Sequence, residues 1–288
     1  METRASRREF LAEIAVLGAA AAVRAGETGS GPGGKPGEMP KIKLGTLEVS
    51  RLILGSNPFF GFAHGNPHAS PEQMKRYYTK ERIMAVLDAA AAQGITAVWT
   101  PCYEEWVELW NEYREKGGKL STWIGQPDRT PMEKEIAIAV RHGAKAVCIQ
   151  GCQIDAQVGA GKWDVVRGWL ELIKSHGLPA GMATHGAKTH LIAEEKGMPT
   201  DFYHQTMYRP DDYIRSGFDE FMAAIEKLRK PVVAYKVLGA GRILPRDTLP
   251  EIVKRLKRKD GLCIGMFPRD KDQIAENCAL VRELTEKS

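Results

Sequence analysis

Residues 146–183 decide the fold. They begin with the apolar run Ala146-Val147-Cys148-Ile149-Gln150, pass through an amphipathic stretch from Val165 to His176 that stops at Gly177, and return to an apolar run at Ala180-Gly181-Met182-Ala183. A short segment that is apolar on both faces suits a strand buried in a parallel sheet. A helix that ends on Gly and leads into a second such strand is the crossover that parallel neighbours require. One strand–helix–strand repeat is therefore written into this stretch.

The alternation extends in both directions. Arg51–Gly55, Ala97–Thr100 and Thr122–Gly125 precede it as apolar runs, and Phe202–Gln205, Val232–Val237 and Leu262–Met266 follow. Helical patterns separate them at Arg82–Gln93, Trp106–Lys116, Met132–His142, Lys188–Lys196, Phe218–Arg229 and Leu249–Lys259, with a last one at Lys271–Thr285. Eight strands alternating with eight helices predict an α/β chain folded as a single (β/α)8 TIM barrel. An open doubly wound sheet is the alternative, and the regularity of the repeats argues for closure. Before the first strand, Ile42–Leu44 and Leu47–Val49 flank Gly45-Thr46, which predicts an N-terminal β-hairpin capping the barrel's bottom.

The first 25 residues read differently. Ser6-Arg7-Arg8-Glu9-Phe10-Leu11 matches the twin-arginine export motif, Ile14–Val23 is a short Ala-rich apolar run, and Val23-Arg24-Ala25 offers small residues for cleavage. Together they predict a removed signal peptide at 1–25. A flexible Gly- and Pro-containing linker follows at 26–40 and the barrel at 41–288. The expectation is a periplasmic or extracellular protein, exported by the twin-arginine machinery. The apolar run is too short for a stable membrane anchor. A net charge of +5 spread over 288 residues gives no basic stripe, which argues against a nucleic-acid partner and leaves a small-molecule substrate.

Barrel enzymes place reactive groups at the C-terminal ends of their strands. That rule selects Asn57, Phe59, Phe60, Phe62 and His64 after strand one, with the aromatics suited to a ring-shaped ligand. Strand two delivers Tyr103 and Glu104; strand four delivers Gln150, Cys152 and Asp155. Strand five gives Thr184 and His185, with His190 beyond; strand six gives His204 and Gln205; strand seven ends at Tyr235-Lys236. The catalytic candidates are His185, Tyr103, Gln150 and His64. Imidazole is the side chain suited to proton transfer near neutral pH, Gln150 would orient a substrate oxygen, and Tyr103 would donate a proton if a neighbour made it acidic enough. No ligand spacing such as HExxH occurs, so hydrogen-bonding histidines are expected rather than a metal. The five cysteines show no zinc-site or CxxC spacing, and Cys148 and Cys263 read as buried free thiols.

On these residues the chain resembles the aldo-keto reductase superfamily. Leu44-Gly45-Thr46-Leu47-Glu48-Val49-Ser50-Arg51-Leu52 resembles that family's opening hairpin and first strand. Ala234-Tyr235-Lys236-Val237-Leu238-Gly239-Ala240-Gly241 resembles its strand-seven motif, and Glu276-Asn277 its C-terminal adenine-gripping pair. The resemblance implies an oxidoreductase acting on a small carbonyl or hydroxyl compound, sugar-like substrates included. It implies NADP or NAD held by Gln205, Tyr235, Lys236, Arg269 and Asn277. The family's Asp, Tyr, Lys and His proton relay falls instead on Trp99, Glu104, Gln126 and Gln150 or Gly151, so the donor would be Tyr103 or His185. A second class stays open: a cofactor-free or metal-assisted lyase, isomerase or hydrolase on the same barrel using His64, His185 and Gln150. A non-catalytic small-molecule binding protein is the third.

Overall fold

The computed structural model describes residues 38–209 and 217–287. The signal peptide and nearly all of the linker expected from the sequence lie outside the described residues. Eight parallel strands close into a barrel: β3 Leu52–Gly55, β4 Ala97–Pro101, β5 Thr122–Gln126, β6 Ala146–Ile149, β7 Ala180–Thr184, β8 Phe202–Thr206, β9 Val232–Tyr235 and β10 Gly261–Gly265. Consecutive strands are neighbours, and β10 pairs with β3 to complete the circle, with Leu262 opposite Leu52 and Gly265 opposite Gly55. Every apolar run read from the sequence is one of these strands, displaced by no more than two residues at either end. Closure leaves no sheet edge, and the strands are buried on both faces, which is why they read as continuous apolar runs.

Inward-facing side chains, among them Ile53, Ala97, Ile124, Ala146, Cys148, Phe202 and Val233, fill the barrel. Outward-facing ones meet the helices, where Trp106, Trp110 and Trp123 pack with ring centroids 5.7 to 6.4 Å apart. The helices are α1 Pro71–Tyr77, α2 Lys80–Ala92, α3 Glu104–Glu115, α4 Met132–Arg141, α5 Gly151–Gly159, α6 Trp163–Ser175, α7 Thr189–Glu195, α8 Phe218–Lys227, α9 Pro245–Arg255 and α10 Gln273–Glu286. Two of them, α1 and α5, go beyond the eight expected. Among the described residues, no helix is long and apolar enough to cross a membrane.

The hairpin forms as expected, with β1 Lys41–Leu44 pairing antiparallel with β2 Leu47–Ser50 across Gly45-Thr46. Ile42, Leu44 and Val49 enter the barrel's interior cluster from below and plug that end. Ordered packing begins earlier than residue 41. Met39 is buried beside Gly94, and the Pro40 carbonyl accepts a hydrogen bond from the Arg51 N–H at 2.5 Å. The last residues assigned to the linker therefore belong to the fold, because Met39 fills a gap under the α2–β4 turn.

Candidate active site

The site stands at the opposite rim, where β9 ends and Lys236 follows. Lys236 adopts φ 58°, a left-handed backbone unusual for a residue with a side chain. Such strain persists where the surroundings over-determine it, and it gathers at functional positions. The Lys236 side chain lines a cavity of about 420 Å3, with its Nζ 5.9 Å from the centroid of the Tyr235 ring. Burial lowers the amine to a pKa of about 8, and neighbouring Cys152 offsets only part of that. Near neutral pH, roughly a tenth of such an amine is unprotonated, against about 4 parts in 10,000 for an ordinary lysine.

A second group of reactive atoms adjoins it on β7 and α5. Asp155 Oδ2 lies 2.9 Å from His185 Nδ1 and accepts the His185 backbone N–H at 3.0 Å. Its other oxygen, Oδ1, accepts the Thr184 hydroxyl. Burial would raise the Asp155 carboxyl, but the hydrogen bonds from His185 and Thr184 outweigh it and hold it below the usual carboxylate range. An ionised carboxylate can only accept, so Nδ1 of His185 carries the proton and Nε2 is left as the atom that exchanges one. Gly151, the first residue of α5, lies under this pair. A Cβ there would come within 2.8 Å of His185 Cε1 and 3.3 Å of the Tyr235 hydroxyl. Tyr235 in turn donates to the Thr184 carbonyl at 3.2 Å.

The first loop closes over the mouth. His64 also has a left-handed backbone, at φ 48°, and its Nε2 lies 3.2 Å from Asn57 Nδ2. Burial, followed by the positive charges of Lys236, His185 and Arg242, lowers its pKa to about 4, so it is neutral at pH 7. Arg242 ties this loop to the loop after β9: Nη2 donates to the His64 carbonyl and Nη1 to the Gly239 carbonyl, both at 3.0 Å.

The sequence candidates separate clearly in space. His64, Tyr235, Lys236 and Asn277 line the cavity, while His185 stands beside it against Tyr235, their ring centroids 6.0 Å apart. Tyr103 faces the strand-three loop, donating its hydroxyl to Asp128 at 2.5 Å beneath the Arg129 guanidinium. Burial and that carboxylate push its pKa up, away from proton donation. Gln150 caps α5, its Oε1 accepting the Gln153 N–H at 3.2 Å. Gln205 is fully buried, reaching the Gly186 and Thr206 carbonyls at 3.4 Å, and lies outside the cavity lining. Arg269, also outside it, forms a two-point ion pair with Asp270. Two of the four histidines assigned to the rim are instead core residues. His190 bonds the Met182 carbonyl and stacks on Tyr203, and His204 is packed edge-on to Trp99. Burial lowers both to about 3. The cysteines have free thiols, and only Cys152 is exposed. No group of three or more potential metal ligands occurs among the described residues.

Comparison with known proteins corrects the family resemblance. No family model matches the chain, and no curated protein does. Among solved structures it is similar to a 3-hexulose-6-phosphate synthase, at 13% identity and TM-score 0.50, covering 81% of this chain and 98% of that one. It is also similar to an aldolase, at 14% identity and TM-score 0.45, covering 73% and 90%. A FabK mutant from Thermotoga maritima follows at 8% identity and TM-score 0.40, covering 75% and 60%. These neighbours are not aldo-keto reductases, and the assignment to that superfamily falls. At such identities the likeness establishes the barrel and nothing finer. Of the short motifs that suggested the family, one is the hairpin leading into β3, one spans the end of β9 and its glycine turn, and Glu276-Asn277 lies within α10.

Proposed function

We propose that the protein is an enzyme acting on a carbonyl compound through an imine formed at Lys236, most simply a lyase or isomerase. The observation that carries this reading is a desolvated amine lining the cavity, with a carboxylate-held imidazole beside that cavity against Tyr235. The neutral Nζ lone pair attacks the carbonyl carbon, and the carbonyl oxygen takes up a proton to give a carbinolamine. Loss of that oxygen as water forms the C=N bond. The protonated imine then draws in the electron pair of a bond to the adjacent carbon. If the bond is C–H, His185 Nε2 accepts the proton; if it is C–C, His185 Nε2 accepts the proton of the hydroxyl on the departing carbon, which leaves as a carbonyl compound. Reprotonation by the same imidazole and hydrolysis by water return the free amine. Asp155 holds His185 in the tautomer these steps need.

Reductive trapping tests this directly. The full chain, incubated with a ketone and borohydride, should gain the mass of the reduced adduct on the peptide containing Lys236, and Lys236→Met should gain none. Wild-type protein without an adduct would overturn the imine reading.

One observation favours a second reading. The cavity continues outward between the loop after β9 and the start of α10, so that Tyr235, Lys236 and Asn277 line one groove. Those three residues would hold NADP or NAD, and Gln205 and Arg269 would not reach it. The cofactor would supply hydride transfer to the same carbonyl class. Saturable quenching of tryptophan fluorescence by micromolar NADPH, competed by the carbonyl compound, would favour it over the imine reading.

A further inference from the structure

We propose that the outer half of this cavity binds an apolar, uncharged part of the substrate, so that the carbonyl compound meeting Lys236 is hydrophobic and carries no phosphate. The inference rests on the imine reading of Lys236 and deepens it. Beyond the amine, the walls are built by Met74, Leu238, Ile243, Leu244 and Phe267. Only three large apolar side chains are exposed among the described residues, Phe62, Val165 and Leu244. Two of the three, Phe62 at 40% and Leu244 at 60%, stand at this cavity's lining. Exposed apolar side chains concentrated at a concave mouth mark a place where an apolar partner is received.

The charges around the outer half point the same way. Among the described residues, the cations near it are engaged: Lys271 with Glu276 at 2.8 Å, Arg269 with Asp270 at 2.7 Å, and Arg242 with the carbonyls of Gly239 and His64. Asp270 and Glu276 themselves line the groove. A phosphate dianion placed there would face two carboxylates, with Lys271 in the same lining already paired to one of them, and would hold Lys236 in the protonated form that cannot attack. An alkyl or aryl tail meets no such penalty. A site that discriminates through apolar contact gains about tenfold or more for each methylene it buries.

The experiment compares two ketone probes in borohydride trapping of the full chain, 4-phenyl-2-butanone and dihydroxyacetone phosphate. Half-saturation for the phenyl ketone should lie at least about tenfold lower, and Leu244→Asp, at an exposed position that leaves the core untouched, should remove most of that advantage. Equal or better trapping with the phosphate, or no effect of Leu244→Asp, would overturn the proposal. A parallel fluorescence titration with 4-phenyl-2-butanol, which has no carbonyl, separates the two layers of the argument. Binding of the alcohol to both wild type and Lys236→Met, without trapping of either ketone, would sink the imine reading and keep the apolar subsite. No binding of the alcohol to either protein would sink the subsite.

Discussion

Asp155 Oδ2 receives two donors from one residue, the backbone N–H of His185 at 3.0 Å and its ring Nδ1 at 2.9 Å. That double attachment fixes both the position of the residue and the rotation of its ring, and it dictates which ring nitrogen is left for chemistry. Asp155→Asn offers an amide that can donate as well as accept, so the imidazole loses its enforced tautomer. The expected outcome is a fall of at least about a hundredfold in enzyme-catalysed exchange of ketone α-hydrogens in D2O, the scale of one acid–base group. Proton NMR of 4-phenyl-2-butanone reads this rate. Exchange at the wild-type rate, in a folded Asp155→Asn protein, would remove His185 from the mechanism.

The pH dependence of trapping follows from Lys236. Its pKa is lowered to about 8 by burial, so the neutral, attacking form grows as pH rises through 8. Trapping rates measured from pH 6 to 10 should rise with an apparent pKa near 8; a midpoint near the ordinary lysine value would show that the amine is not desolvated as described.

Stability should carry the same signature with a definite sign. The amine holds its proton less tightly in the folded chain than in the unfolded one, so its burial cost is fully present below pH 8 and vanishes between about 8 and 10.5. Lys236→Met should therefore be more stable than wild type at pH 7, with the gap closing by pH 10.5. Urea titrations at the two pH values measure it, and a gap independent of pH would contradict the assignment.

Gly151 is a position where no side chain fits. The 2.8 Å approach of a Cβ to His185 Cε1 means that Gly151→Ala must push the imidazole off Asp155. Exchange activity should drop tenfold or more while the melting temperature changes little, since the displaced ring lies at the rim. Full activity would mean that the ring's present position is not the working one.

The Arg242 bridge gives a test of the first loop. Arg242→Gln loses the bond to the His64 carbonyl, and amide hydrogen exchange across residues 61–66 should speed up, with a stability loss of about 1 kcal/mol. Unchanged protection in that loop would show that the bridge does not restrain it.

The barrel was legible in the sequence because buried parallel strands and glycine-stopped helices leave local marks, as at Ala146–Ile149 and at Gly177 after α6. Two helices escaped that reading for different reasons. α5 begins and ends on glycine and shows no clear apolar stripe. α1 is short, although Ser70 and Gln73 do form a capping box around Pro71, a signal present in the sequence. At the rim, proximity along the chain said little about proximity in space. Asp155 was visible as a rim residue, but its partnership with His185 depends on how α5 folds back toward β7. Lys236 was read as a contact to NADP or NAD through a family likeness. Its more telling property, desolvation, depends on burial at a cavity that the first loop also lines and cannot be seen in residues 234–241 alone. Tyr103 was taken from its strand, and the Asp128 carboxylate that holds it comes from the next one.

Met39 packs beside Gly94, and the hairpin that follows it plugs the barrel end away from Lys236. A carrier, tag or solid support joined directly at residue 38 is thereby attached at the barrel end away from the mouth. Immobilised through residue 38, the barrel would present its opening away from the support.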